Sequence, residues 1–344
     1  RAGREACEHI TFADWLAAHG QPGSAVRRFW GVVIISALNE LPERCSAASA
    51  IQVFQEAFLE NEQAYVMGLA AVPLVQLYDA AERVLAEAGG RVMLSTSAEV
   101  LEYDGGRVTA LRTGDGRRLT ADRFISAMPF DRLAKVCPPA LVAADARLAS
   151  LDRFEVSPII GIHLWLGATR ERPVMRLPHL VLMESPLQWV FNKGFESGQE
   201  AESAPVGQHL HGVISAAHDL VNRSADDLID LTLAEIRKVM PEAQSAMLLH
   251  GRVVKEKRAT FSVRPGSDAI RPPARGAVSN LYLAGDWCAT GWPATMEGAT
   301  RSGYLAAAAA LADARQAADA PALIADLQTS ALYRVIAQSG ETGH

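Results

Sequence analysis

The chain has 344 residues, 49% hydrophobic and 21% charged, with 33 Lys and Arg against 39 Asp and Glu, a net charge of −6. That length and apolar content allow two domains with a large core, and no Lys- or Arg-rich run marks a nucleic-acid partner. Cys7, Cys45, Cys137 and Cys288 lie far apart with no C-x-x-C, so neither a disulfide framework nor a zinc site is indicated, and a reducing, cytoplasmic setting fits.

Residues 1–67 read as helices. Thr11 can cap Phe12–Ala18, which Gly20 and Pro22 end; Val26–Leu38 is strongly apolar; Ser46 or Ser49 can cap Ala50–Glu60. Phe54, Phe58 and Leu59 share a face of that last helix, as core or as pocket lining. Pro73–Ala88 reads as a helix stopped by Gly89-Gly90. Strands are expected at Arg91–Leu94, Ala98–Tyr103, Arg107–Arg112, Arg118–Thr120 and Arg123–Ser126, with turns at Asp104-Gly105-Gly106 and Gly114-Asp115-Gly116.

Arg132–Ala149 is helical around Pro138-Pro139. Pro158–Leu166, Leu180–Glu184, Trp189–Asn192 and His209–Ala216 read as strands. Ser224 caps a helix Ala225–Met240, and Leu248–Thr260 is a further strand region. His209-x-His211 places two rings on one strand face, but no acidic residue follows nearby, so no metal is expected. A helix from Pro321 to Gln338 would close the chain, packed on the fold or touching a membrane surface. The longest apolar runs, Phe29–Leu38 and Tyr65–Val75, fall short of the roughly 18 residues that span a bilayer, which leaves a peripheral membrane contact open.

The densest signal is Asn280–Leu311. Leu281–Leu283 is long enough for a buried strand, Gly285-Asp286 stops it, a turn with Gly291 and Pro293 follows, and a helix runs to about Leu311. Gly298, Ser302 and Ala306 form one small-residue stripe; Ala299, Gly303 and Ala307 form the next. Such a helix can lie close against a sheet or flat ligand, and its N-terminus attracts an electron-rich group. The residues alone also allow a packed strand–turn–helix with no ligand.

LYLAGD, GWPATMEGA and SGYLAA in this stretch resemble the C-terminal flavin motif of the amine oxidase/phytoene desaturase superfamily. The fuller GDWCATGWPATMEGATRSGYLAA is similar to its squalene-associated branch, the FAD-dependent hydroxysqualene dehydroxylases. LSTSAEVLEYDGGRVTALRTGDGRRLTADRFISAMP resembles a second FAD-domain segment, and KEKRATFSVRPG a segment leading back to the flavin domain. The resemblance implies an α/β fold with a Rossmann-like FAD/NAD(P)-binding domain at 68–129 and 277–312. It also implies a mixed α+β substrate domain at 1–67 and 130–276, and a tail at 313–344.

Implied FAD contacts come from Ala98, Ser126, Ala127, Gly285, Asp286, Trp292, Thr295 and Met296: Ala98 near the adenine, Asp286 near the ribityl and pyrophosphate, and Thr295–Met296 near flavin N1/C2=O. The implied activity is reduction of hydroxysqualene to squalene for hopanoid synthesis, with an apolar isoprenoid substrate, an unnamed electron donor and no assigned catalytic acid. The G-x-G-x-x-G of the family's opening βαβ unit occurs nowhere in the chain, which reads as a member lacking about its first hundred residues. Two other readings stand beside this one. The first is a related amine oxidase or carotenoid desaturase, with Trp287 and Trp292 as candidates for an aromatic cage. The second is a noncatalytic fragment unable to hold FAD.

Overall fold

A computed structural model describes residues 2–195, 207–316, 320–331 and 333–334. Contacts divide the chain into two units, Arg1–Gln52 with Phe154–Ile270, and Val53–Arg153 with Arg271–His344. These boundaries differ from the expected ones: 53–67, 130–153 and 271–276 belong to the second unit.

In the first unit, Thr11 caps α1 (Phe12–Ala18) by accepting from Asp14 N–H at 3.1 Å. The apolar run from Val26 forms a π-helical turn, Val26–Trp30, that continues as α2 (Gly31–Leu38). Asn39 ends α2 at φ 53°, and its side chain bonds Ser157 O, Thr260 Oγ1 and the Ala216 N–H. That one residue therefore anchors a helix end to the unit's sheet. A third helix, α3 (Ala47–Phe54), spans the division between the units and continues as a π-helical turn over Gln55–Leu59.

The second unit begins with apolar residues that stay exposed. Val66, Val75 and Leu94 are 69%, 72% and 81% exposed. The expected Pro73–Ala88 helix is a 3-10 turn, Leu74–Tyr78, followed by α4 (Asp79–Glu87). Arg91–Leu94 forms no strand: an apolar tripeptide becomes a strand only where another strand or a core takes it, and Val92, Met93 and Leu94 are all exposed. β1 (Ala98–Tyr103), β2 (Val108–Thr113) and β3 (Arg118–Leu119) form an antiparallel meander. β4 (Phe124–Ser126) leads into α5 (Phe130–Val136) and α6 (Pro139–Ala144), which part at Pro138-Pro139 as the sequence requires.

Back in the first unit, β5 (Val156–Leu166), β6 (His179–Val181), β7 (Trp189–Phe195), β8 (Gln208–Ile214) and β9 (Leu248–Phe261) build an antiparallel sheet of order β6-β7-β8-β5-β9. β6 is shorter than the expected Leu180–Glu184 strand, because Glu184 sits at φ 54° and pairs with Arg27 and Arg28 instead. Strict alternation buries Ile160, Ile162, Leu164 and Leu166 on one face, where Leu228, Leu233 and Ile236 of α7 (Ala225–Val239) join the same cluster. Ser224 caps α7 through the Asp227 N–H at 3.1 Å.

β10 (Leu281–Leu283) and α8 (Met296–Asp313) complete the second unit, with β10 parallel to β4. Residues 321–330 carry no regular structure, so the expected Pro321–Gln338 helix is absent over that part; beyond Arg334 it lies outside the described residues. The end of the segment is tied sideways, by Ser330 N–H to Glu60 O at 2.7 Å and by Asn61 Nδ2 to Gln328 O at 2.7 Å, and Ser330 then accepts from Tyr333 and Arg334 N–H as residues 331, 333 and 334 turn helical. No helix among the described residues is long and apolar enough to cross a membrane.

Candidate functional site

The site grows from the parallel pair β4 and β10. Leu281, Tyr282 and Leu283 are at most 1% exposed, and Ala284 N–H donates to Ser126 O at 2.8 Å, so both strands end side by side. The space beyond the carboxyl ends of parallel strands is where open α/β sheets take ligands. Ser126 Oγ is buried there with no hydrogen-bond partner among the described residues, a polar atom whose cost a ligand group would relieve.

Gly285 turns the chain at φ 139°, and an added Cβ would meet Trp287 Nε1 at 2.4 Å; only glycine fits. Its N–H donates to Ser302 Oγ at 2.7 Å, tying the turn to α8. Thr295 caps α8 by accepting from Gly298 N–H at 3.0 Å, and Met296 is the first helical residue. Gly298, Ser302, Ala306 and Ala310 are buried, with Ala306 and Ala310 packed on Tyr282 and Ala284. The neighbouring stripe is not: Ala299 and Gly303 are exposed. Gly285 thus meets α8 at Ser302, while the positive end of the helix dipole lies at the Thr295–Met296 start.

Arg271 organises the loop between strand and helix. It is 9% exposed, and its Nη2 reaches Cys288 O and Trp292 O at 2.6 Å, Asp286 O at 3.1 Å and Thr290 Oγ1 at 3.4 Å. Burial raises the Asp286 carboxyl above its usual range, while the Arg271 charge and the backbone N–H groups of Trp287 and Asp286 pull the other way. Cys288 is buried and free, its thiol pushed up to about 12 by burial, a packed side chain rather than a nucleophile.

Ser126 is thus tied to Ala284 beside the Gly285 turn, and Asp286 and Trp292 are joined through Arg271, while Ala127 follows β4 and Thr295 and Met296 open α8; Ala98 opens β1 in the separate meander, opposite Thr113. Trp292 is held beneath Arg301, whose Cζ is 5.1 Å from the indole centroid. Trp287 is 1% exposed, packed edge-on to Phe130 and bonded to Met128 O at 3.1 Å, so it is core and not part of an aromatic cage. Sequence reasoning missed Arg271; an arginine before Pro272-Pro273, just ahead of an apolar strand, was the available signal. No cluster of three or more His, Cys, Asp or Glu among the described residues could hold a metal ion.

The family model described as flavin containing amine oxidoreductase matches residues 5–311. The chain belongs to that family. FAD is the cofactor of the family, and the α/β fold is its fold. The chain is 27% identical over 319 residues to a 15-cis-phytoene desaturase of Synechococcus elongatus, covering 90% of this chain and 66% of that protein. It is also 27% identical over 326 residues to the chloroplastic/chromoplastic 15-cis-phytoene desaturase of Glycine max, covering 90% and 54%. The chain thus spans between half and two thirds of these relatives' length. Among solved structures, cyclohexylamine oxidase from Brevibacterium oxydans superimposes with a TM-score of 0.62 at 17% identity, over 89% of this chain and 68% of that one.

Proposed function

We infer that the β10–turn–α8 element is one side of an FAD site, in an enzyme that reductively removes the hydroxyl of an isoprenoid alcohol such as hydroxysqualene. The observation that carries the cofactor side is the orphaned Ser126 Oγ at the shared end of β4 and β10, beside the Gly285 turn. The residues present fit the group. Asp286 would accept from cofactor hydroxyls, which would hold its carboxylate charged against its burial. The first N–H groups of α8, at Met296, favour negative charge on the flavin N1/C2=O edge.

Bound reduced flavin would supply the hydride for the carbon that loses its hydroxyl, and a proton from solvent would leave with that oxygen as water. The protein's part is binding, orientation and exclusion of water. The substrate class rests on the GDWCATGWPATMEGATRSGYLAA resemblance and on the desaturases among the relatives. An apolar substrate suits pick-up at the inner face of a membrane by a cytoplasmic protein. The names of the relatives favour a second reading, oxidative desaturation of a polyene such as phytoene.

No G-x-G-x-x-G occurs in the 344 residues, so the chain by itself is expected to retain FAD substoichiometrically. The exposed apolar side chains around Val66, Val75 and Leu94 are the surface a dinucleotide-binding unit would cover. The functional test uses a version extended at its amino end by such a unit and loaded with FAD. Anaerobic incubation of its dithionite-reduced form with hydroxysqualene should yield squalene; desaturated phytoene from the oxidised form, without squalene from the reduced one, would establish the second reading instead.

A further inference from the structure

The second face of the five-stranded sheet carries chemistry that the flavin side does not use. Opposite the packed face, His163 pairs across the strands with His211, and Trp165 with His209. The His163 and His211 rings stack at 4.2 Å and 4°, and the Trp165 and His209 rings at 4.3 Å and 7°. Phe191 extends the row beyond His211. His163 Nδ1 and His209 Nε2 are 3.0 Å apart and share a proton.

That shared proton fixes what His163 offers. If His209 donates, the remaining His163 nitrogen, Nε2, carries a hydrogen and donates; if His163 donates, Nε2 is a bare acceptor. A hydroxyl satisfies either state, because it both donates and accepts. The Nε2 atoms of His163 and His211 both lie over Gly161, at 3.9 and 2.9 Å from where a Cβ would stand, so a side chain there would displace the His211 ring. Burial, followed by the nearby Arg252 and Lys193 charges, lowers His163. Burial, then the charges of His163, Lys193 and His209, brings His211 down to about 4. The His163 and His211 imidazoles are therefore neutral at neutral pH, flanked by the Arg252 guanidinium opposite His163 on β9 and by the Lys193 charge, while the Trp165 and Phe191 rings beside them suit an unsaturated hydrocarbon chain.

We propose that the His163–His211 imidazole edge over Gly161 is the polar anchor of a linear isoprenoid alcohol, binding its hydroxyl while Trp165 and Phe191 take the hydrocarbon. This rests on the isoprenoid reading above, but it is a statement about binding and needs neither flavin nor turnover.

The test titrates the chain with farnesol and with farnesene, its hydroxyl-free counterpart, following tryptophan fluorescence, to which Trp165 and Trp189 of this sheet report. Farnesol should bind about tenfold tighter, the worth of one net hydrogen bond. His163→Phe, which keeps a stacking ring, should bring the two affinities within about threefold by weakening farnesol alone. Should that variant misfold by circular dichroism, His211→Phe makes the same prediction. Equal wild-type affinities, or an unchanged preference in the folded variants, would overturn the anchor. A farnesol preference lost in the variants, in an enzyme that makes no squalene, would uphold the anchor and sink the dehydroxylation reading.

Discussion

Arg271→Met removes the guanidinium and keeps most of the stem volume. In the native loop one nitrogen, Nη2, faces the carbonyls of Asp286, Cys288 and Trp292 and the Thr290 hydroxyl. A guanidinium nitrogen carries two hydrogens, so these acceptors share two strong charge-assisted bonds at any moment. At about 1.5–3 kcal/mol each, the loss is about 3–6 kcal/mol, and the lower half applies because Asp286, Thr290 and Trp292 are only half-buried and water can reach their loop. The assay is urea unfolding followed by near-ultraviolet circular dichroism, to which Trp287 and Trp292 contribute, together with amide hydrogen exchange over 286–295. The variant should lose about 3–4 kcal/mol, its loop amides should exchange faster, and Arg271→Lys should recover roughly half. A loss under about 1 kcal/mol with unchanged loop exchange would refute the view that this arginine holds the loop.

Two further outcomes follow from the same geometry. Gly285→Ala forces a side chain into φ 139° and against the Trp287 indole, so it should cost about 2–4 kcal/mol in the same unfolding assay, from backbone strain and the displaced Trp287–Met128 bond; a neutral effect would mean the turn relaxes freely. His211 is neutral when folded and titrates near 4 against about 6.5 unfolded, so its stabilisation is complete above pH 6.5 and is lost as pH falls towards 4. After allowance for its partial exposure this is on the order of 2 kcal/mol, and His211→Phe should flatten that part of the stability–pH curve.

The flavin-side element was legible because its signals are local. The apolar tripeptide closed by Gly285-Asp286 and the small residues after Pro293 mark a strand and a helix by themselves, and β10 and α8 form where those signals lie. Ser224 and Thr11 work in the same way. Where the outcome depends on a distant partner, the sequence misleads: Val92-Met93-Leu94 has strand composition but stays exposed. The segment 321–330 has apolar residues at roughly helical spacing but carries no regular structure, and its end is tied to Glu60 and Asn61. His209-x-His211 was visible on one strand, whereas its partners His163 and Trp165 come from β5 through a register no local pattern encodes. Arg271 escaped for a similar reason, since its acceptors, three carbonyls and the Thr290 hydroxyl, lie 15 to 21 residues further along.

The central claim is that the start of α8 faces the flavin. Thr295 is the cap and Met296 the first helical residue, where proline is tolerated and one N–H is removed. Redox titration of the FAD-loaded, amino-terminally extended enzyme, with Met296→Pro beside wild type, measures that claim directly. Reduced flavin is the more negative form, so the account predicts a variant that folds, binds oxidised FAD nearly as well, and shows a lower two-electron potential. An equal or higher potential in the folded, loaded variant would contradict it.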